Sequence, residues 1–111
     1  MNGFETVDNI EAYNNLAEAI VTLACEDYRS YRKQLRKATA RLKNVLDKMS
    51  ATAEEETTKM EELAREKHDA ELNIRLLNSK ILEIEKFLPS PYGMMLSHQL
   101  GDVILEKLRN E

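Results

Sequence analysis

The sequence predicts an all-α protein: a long antiparallel helical hairpin, coiled-coil-like along its stalk and closed at its base by one or two short C-terminal helices. Three observations predict this class. Neither Pro nor Gly occurs between Val7 and Leu88. Apolar residues in that stretch recur every three or four positions. Charged residues make up 32% of the 111 residues and aromatic residues 5%, a mix typical of long helices. We expect a single domain over residues 1–111.

The first long helix is predicted at about residues 7–49. Its apolar seam advances in steps of three and four, apart from two consecutive fours around Ala24, as in a coiled coil or helical bundle. The seam consists of Ile10, Tyr13, Ala17, Ile20, Ala24, Tyr28, Tyr31, Leu35, Ala38, Leu42, Val45 and Met49.

The second long helix is predicted at about residues 53–88. Every step of its seam is three or four, and only Lys67 interrupts the apolar character, since its methylene stem can lie along the seam with the amine in solvent. The seam consists of Met60, Leu63, Lys67, Ala70, Ile74, Leu77, Ile81, Ile84 and Leu88.

A turn between the two helices is predicted near residues 50–52. Thr52 followed by Glu55 fits a capping box, and the neighbouring Glu residues suit the positive end of a helix dipole. The helical period nevertheless runs unbroken from Met49 to Met60. A continuous helix of ~80 residues in an oligomer, about 120 Å long, therefore stays open as the alternative.

Opposite charges are predicted to face each other across this hairpin. Residues 29–48 carry eight basic residues against one acid, a net of +7, and residues 54–71 carry eight acids against three bases, a net of −5. A turn near residue 51 would bring together two pairs, Arg36 with Glu66 and Arg41 with Glu61. Each exposed pair is worth ~0.5 kcal/mol or less, so the pairs set register more than stability. An antiparallel dimer of continuous helices could pair the same blocks.

Two short helices are predicted at about residues 91–96 and 98–110. Pro89 ends the long helix, and Ser90 followed by Pro91 is typical of an N-cap and a first helical position. Ser97 or Asp102 is available to cap the last helix. We expect this segment to cover the apolar residues that widen the two seams, namely Leu16, Val21, Leu23, Leu72, Leu76, Leu82 and Phe87. Its own apolar side chains are expected in the core, with an adaptable patch for a partner as the alternative: Tyr92, Met94 and Met95.

Three segments share a pattern with one group of proteins. They are Asn15-Leu16-Ala17-Glu18-Ala19-Ile20-Val21 with Ala24 and Asp27-Tyr28-Arg29, then Glu83-Ile84-Glu85-Lys86-Phe87-Leu88-Pro89-Ser90, then Ile104-Leu105-Glu106-Lys107-Leu108-Arg109. They resemble N-L-x-x-A-I-x-x-x-A-x-x-D-Y-R, E-I-E-R-F-F-x-S and L-I-x-K-L-R in small proteins of Firmicutes prophages and mobile elements. The likeness covers roughly residues 14–31 and 81–110, and not 35–75. Those proteins usually carry an aromatic pair where this chain has Pro91-Tyr92-Gly93. The resemblance implies a two-helix base, a closing C-terminal helix and a setting in a mobile element, and it brings no activity with it.

The sequence predicts no enzyme activity, no metal site and no cofactor. It contains no glycine-rich phosphate loop, no Cys-x-x-Cys and no His-Glu-x-x-His. His68 is expected on the solvated surface, since no second His or Cys lies three or four positions away, and His98 is expected to cap a helix or line the base. Cys25 is expected as a small buried thiol. The run Glu54–Glu56 is expected to be a solvated helix start.

The start of the chain predicts a cytoplasmic protein without a membrane segment. Met1-Asn2-Gly3-Phe4-Glu5 has neither the basic start nor the apolar run of a signal peptide. No stretch approaches the ~20 apolar residues that span a bilayer.

Three function classes stay open. The leading one is a non-enzymatic helical protein-interaction module of phage or mobile-element type that self-associates or binds a protein partner, because Ala38, Lys67 and Ala70 leave little apolar area between two helices alone. The alternatives are an anti-CRISPR-like inhibitor that blocks a host nucleic-acid machine with its acidic arm, and a nucleic-acid binder that uses residues 29–48. No small-molecule substrate is expected. The candidate interaction surface consists of Arg29, Arg32, Lys33, Arg36, Lys37, Arg41, Lys43, Glu61, Glu62 and Glu66.

Overall fold

The structure, a computed structural model, describes residues 7–53 and 55–111, which form four α-helices and no strand. Helix α1 spans Val7–Ala51, α2 spans Thr57–Phe87, α3 spans Pro91–Leu96 and α4 spans Gly101–Arg109. The all-α class and the pairing of two long helices are confirmed. The predictions made for Met1 to Glu5 and for Glu54 lie outside the described residues.

The chain forms two compact units, and both long helices contribute to each of them. The hairpin unit consists of residues 30–81, and the closed unit consists of residues 1–29 and 82–111. The hairpin unit therefore contains the second half of α1 and most of α2. The closed unit contains the remaining parts of both helices together with α3 and α4.

The hairpin unit turns between Thr52 and Glu56, which rules out the continuous helix. The hydroxyl of Thr52 donates to the Lys48 carbonyl at 2.7 Å, and its N–H donates to the Met49 carbonyl at 3.3 Å. Thr52 thus satisfies carbonyls that the end of α1 leaves open. The predicted capping box at Thr52 is therefore wrong, and α2 begins at Thr57, four residues later than predicted.

The core of the hairpin unit is thin. Its buried apolar residues are Ala38, Val45, Leu63, Ala70, Leu77 and Ile81. Two of these six are alanines, which fill little space between the helices. Lys67 lies half-buried in the seam as predicted, and its amine is 3.8 Å from a Glu71 carboxylate oxygen.

The core of the closed unit is centred on Leu88, which is entirely excluded from solvent. Its other buried apolar residues are Ala17, Tyr28, Leu96, Leu105 and Leu108. Two buried glycines, Gly93 of α3 and Gly101 of α4, pack against the backbone that leads out of α2. A Cβ on Gly101 would collide with the Leu88 carbonyl oxygen. The two short helices approach α2 this closely because each presents a glycine.

The ends of α3 and α4 follow from local backbone chemistry. Ser90 caps α3 as predicted, since its hydroxyl oxygen accepts the Gly93 N–H at 3.1 Å and Pro91 follows it. His98 and Gln99 have φ angles of 55° and 69°, which a helix cannot accommodate. The last helix consequently begins at Gly101 rather than at 98. Neither predicted residue occupies its N-cap position, which is Leu100 and makes no side-chain bond, but the Asp102 carboxylate accepts the Val103 N–H at 2.8 Å within the first turn.

The expectation that the C-terminal helices cover the widened seams is wrong for most of the residues concerned. Val21 and Phe87 are half-buried, and Phe87 meets the Tyr92 ring edge-on with 6.2 Å between centroids. The exposed residues are Leu16, Leu23, Leu72, Leu76, Leu82, Tyr92 and Met95. In the closed unit the reason is helical geometry. Val21 lines a groove together with Ile104 of α4. Leu23 is two residues further along α1, and at ~100° per residue it lies about 200° around the helix from Val21, on another side of α1.

Substitution of Gly101 tests the close approach of α4 to Leu88. Alanine normally stabilises a helix relative to glycine by about 1 kcal/mol. We expect Gly101→Ala to destabilise this chain by about 1–3 kcal/mol instead, because the added methyl group overpacks against a buried carbonyl. The urea midpoint followed by circular dichroism measures the effect. The neighbouring substitution Leu100→Ala is the control, since that side chain is half exposed. An unchanged or raised midpoint for Gly101→Ala would contradict the packing.

Candidate interaction surface

The register of α1 against α2 can be established from contacts in the hairpin unit. The Lys80 amine lies 5.3 Å from the centre of the Tyr31 ring. Near the turn, Lys48 and Glu66 line one groove, and Met49 and Ala64 line another. For two residues that face each other across the pair, the two residue numbers therefore add up to about 111–114. A nearly constant sum means that the helices run antiparallel.

This register does not form the predicted ion pairs Arg36–Glu66 and Arg41–Glu61. The position that faces Arg36 is near residue 77, and Glu66 lies about 11 residues, or about 16 Å of helix, away from it. In the described part of the hairpin unit, no ion pair joins Arg36 to Glu66 or Arg41 to Glu61. Most of the acidic block therefore lies beside the turn, and only its end, residues 64–71, faces the end of the basic block, residues 41–48.

Charge is consequently segregated within the hairpin unit. Residues 54–66 carry six acids and two bases, a net of −4. The remainder of the unit, residues 30–53 and 67–81, carries ten bases and three acids, a net of +7. Residues 70–81, which face the basic segment 32–43, contain a single acid, Glu71. The basic segment therefore has no block of acids opposite it.

Helix positions divide the exposed side chains of the hairpin unit between two flanks. Residues seven apart lie on the same side of a coiled-coil helix. In an antiparallel pair, equivalent positions of the two helices lie on the same flank. Two grooves confirm the division: Ala64, His68 and Glu71 line one, and Lys48, Glu62 and Glu66 line the other. The basic flank consists of Arg32, Arg36, Lys43, Glu61, His68, Glu71 and Arg75. The mixed flank consists of Lys37, Arg41, Lys48, Glu62, Glu66, Asp69, Leu76 and Lys80.

The structure places the predicted surface residues in three settings. Arg29 belongs to the closed unit and lies outside the hairpin unit. Arg32 is half-buried, while the others are exposed: Lys33, Arg36, Lys37, Arg41, Lys43, Glu61, Glu62 and Glu66. Arg75 was missed by the sequence analysis. Arg75 directly follows the seam residue Ile74, just as Arg36 directly follows the seam residue Leu35. With the register known, this equivalent helix position would have placed Arg75 on the same flank as Arg36.

Polar side chains connect three segments of the closed unit. The hydroxyl of Tyr28 donates to Oε2 of Glu85 at 3.1 Å, and the Arg109 Nε donates to the same oxygen at 3.1 Å. The Arg29 guanidinium donates to both carboxylate oxygens of Glu111 at 2.7 and 2.8 Å. These hydrogen bonds raise the pKa of both arginines above its ordinary value, Glu111 acting on Arg29 and Glu85 on Arg109. The pairs fix α1, α2 and the C-terminal end of the chain relative to one another.

Exposed leucines interrupt the charged surface. In the hairpin unit, Leu72 and Leu76 are 45% and 56% exposed on the outer side of α2, and Leu46 is 41% exposed on the basic-flank side of α1. In the closed unit, Leu16 and Leu23 are seven residues apart and share one side of α1. Leu72 and Leu76, one turn apart, form an apolar strip along the edge of the mixed flank, to which Leu76 belongs.

The remaining singled-out residues have ordinary surroundings. His68 is exposed as predicted, and His98 is exposed beside the groove that Val21 and Ile104 line. Cys25 is half-buried rather than buried. Across residues 7–53 and 55–111, no three His, Cys, Asp or Glu side chains are arranged to hold a metal ion. No helix in the same residues combines the length and apolar character that crossing a bilayer requires.

Comparison of the chain with protein-family models, with curated protein sequences and with solved structures gives no match.

The reactivity of Cys25 tests the surroundings of its thiol. Burial raises the pKa of this thiol above its ordinary value, an effect that the nearby Arg29 cation partly offsets. At a given pH below that pKa, the folded chain therefore holds less thiolate than the unfolded chain. We expect Cys25 to react with a disulfide reagent more slowly in the native protein than in urea, and the two rates to converge as the pH rises through the folded pKa.

A stopped-flow or absorbance assay over a pH series measures this. Arg29→Gln removes the cation that favours the thiolate, so the native curve should move to still higher pH. The raised pKa of Cys25 would be contradicted if the reaction rate of the native protein increased at the same pH as the rate in urea, or at a lower pH.

Proposed function

We propose that this chain is a non-enzymatic protein-interaction module that self-associates through the mixed flank of its hairpin unit. The observation that carries the proposal is the exposed strip of Leu72 and Leu76 beside a flank that bears both charges. Burying a leucine in an interface contributes about 1.5–3 kcal/mol. Exposed apolar strips that are bordered by polar residues are typical of association surfaces.

The thin core of the hairpin unit supports a partner. Ala38 and Ala70 are buried but contribute little apolar area. A helical pair of this kind gains stability when a further helix covers its outer leucines. The half-buried stem of Lys67 weakens the seam further.

A second copy of the chain fits the mixed flank by charge. On this flank the cations Lys37, Arg41 and Lys48 belong to α1. The acids Glu62, Glu66 and Asp69 belong to α2. The acids lie closer to the turn than the first two cations. A copy that runs in the opposite direction sets the acids of each hairpin against the cations of the other. Such a contact is self-complementary, as a two-fold dimer requires.

The same surface argues for binding rather than catalysis. The exposed groups of the mixed flank are ammonium, guanidinium, carboxylate and leucine side chains on two helices. They supply complementary charge and apolar area, which set partner and orientation in helical assemblies. The prophage-type setting that the sequence resemblance implies is part of the same proposal.

Oligomeric state tests this proposal directly. We expect the full chain to be dimeric at about micromolar concentration by light scattering or sedimentation. Leu72→Gln together with Leu76→Gln should weaken the dimer by at least about 100-fold, since burial of each leucine contributes about 1.5 kcal/mol or more. Both side chains are exposed, so the monomer should keep its helicity.

The matched control is Leu46→Gln, which alters an exposed leucine on the other flank and should leave the dimer intact. A wild-type chain that stays monomeric at about 100 μM would contradict self-association. Equal weakening by the control would place the interface elsewhere.

A further inference from the structure

The basic flank of the hairpin unit is a surface with a different chemistry from the mixed flank. Arg36 and Lys43 are exposed on α1, and Arg75 is exposed on α2. Arg36 and Lys43 are seven residues apart, which is about 10.5 Å along the helix. Residue 77 faces Arg36 in the observed register, so Arg75 lies at nearly the same level of the pair. The three cations therefore share one flank within a short length of helix.

The register leaves the middle of the hairpin unit, basic flank included, positively charged. Residues 32–43 carry six bases and no acid, and the facing residues 70–81 carry two bases and one acid. The two segments together have a net charge of +7, of which the basic-flank residues contribute +3. The single acid, Glu71, lies 3.8 Å from the amine of Lys67. Within these two segments the positive charge is therefore without a matching acidic block.

The acidic residues near the turn do not cancel this field. Glu61 has the same helix position as His68 and Arg75. It lies about 21 Å of helix from Arg75 and about 10–15 Å from the level of Lys43. The Debye length at physiological ionic strength is about 8 Å, so an exposed charge at either distance is largely screened. The overall net charge of −4 likewise describes the sum over the chain and not the potential at this flank.

A linear row of arginine and lysine fits a linear polyanion. The basic segment of α1 extends over about 18 Å, and double-stranded DNA presents about one negative charge per 1.7 Å of its axis. Exposed aromatic rings, on which the bases of single strands stack, would favour a single-stranded ligand. Tyr31 is the one aromatic residue in the sequence between 30 and 81, and its half-buried ring lies under Lys80. The surface thus favours a duplex backbone over unpaired bases.

We propose that the basic flank of the hairpin unit binds the phosphate backbone of double-stranded nucleic acid without reading base sequence. The exposed residues Arg36, Lys43 and Arg75 supply the cations. Contact with phosphates releases condensed counterions, so the affinity falls as salt rises. About three phosphate contacts give a slope of about −2.7 in log K against log salt, which is about a 40-fold loss between 50 and 200 mM.

Fluorescence anisotropy with a labelled duplex DNA and the full-length chain tests this proposal. We expect binding at about 50 mM salt with the slope given above. Arg36→Gln with Arg75→Gln should weaken binding by about tenfold or more and reduce the slope by about two. Arg36→Lys with Arg75→Lys keeps both charges and should retain most of the affinity. An RNA duplex in the same assay separates DNA from RNA as the source of the backbone.

The matched control is Lys86→Gln with Lys107→Gln, which removes two exposed cations from the closed unit. It should change the affinity by less than about threefold. Circular dichroism checks that each variant stays helical. Three outcomes would overturn the proposal: no binding at about 50 mM salt, equal loss in both Gln doubles, or tighter binding of single-stranded than of duplex DNA. The dimerisation assay is independent, because the variants tested there lie on the outer side of α2 and not on the basic flank.

Discussion

The register of α1 against α2 determines which charges face each other, and most of the surface chemistry depends on it. Two antiparallel helices that share a turn have facing residues whose numbers add up to a constant. Here that constant is about 111–114, so the pairing is centred near residue 56. A turn near residue 51 would have paired the basic and acidic blocks. Each residue by which the centre moves shifts the facing position by two, so five residues shift it by ten. Only residues 41–48 of the basic block then still face the acidic block.

The closed unit is held together by close backbone packing and by a few shared polar groups. Gly93 and Gly101 bring α3 and α4 against the Leu88 backbone, where any side chain would collide. Glu85 accepts hydrogen bonds from Tyr28 and Arg109 through one oxygen, and thereby joins α1, α2 and α4. This packing fixes the positions of α3 and α4 along the chain, since a shift of either helix by one residue would place a Cβ atom where a glycine now contacts the backbone. The C-terminal helices can therefore close the core without covering Leu16 and Leu23.

The sequence predicts the helices well because each rests on local chemistry. The seam from Ile10 to Met49 and the Ser90–Pro91 start of α3 need no knowledge of distant residues. The turn could not be placed, because the helical period continues through it and Thr52 can serve either helix end. Its hydroxyl bonds back to Lys48, a choice that depends on both helices together. The ion pairs Arg36–Glu66 and Arg41–Glu61 were predicted from a turn near residue 51, so the misplaced turn made both of them wrong. An amphipathic pattern shows that Leu72 and Leu76 widen a face, but not what covers them.

The two flanks of the hairpin unit have different symmetry properties, and this bears on how the two proposals combine. On the mixed flank the acids Glu62, Glu66 and Asp69 lie nearer the turn than the cations Lys37 and Arg41. Two copies related by a two-fold rotation can therefore set the acids of each against the cations of the other. The basic flank has no such block of acids to set against its cations, so we propose a polyanion for it and not a second copy. Association through the mixed flanks leaves both basic flanks open. A dimer then presents two phosphate-binding surfaces, and a duplex long enough to meet both is held more tightly than by either alone, because the second contact becomes intramolecular. Self-association would thereby increase the avidity for long duplexes without any new contact to the nucleic acid.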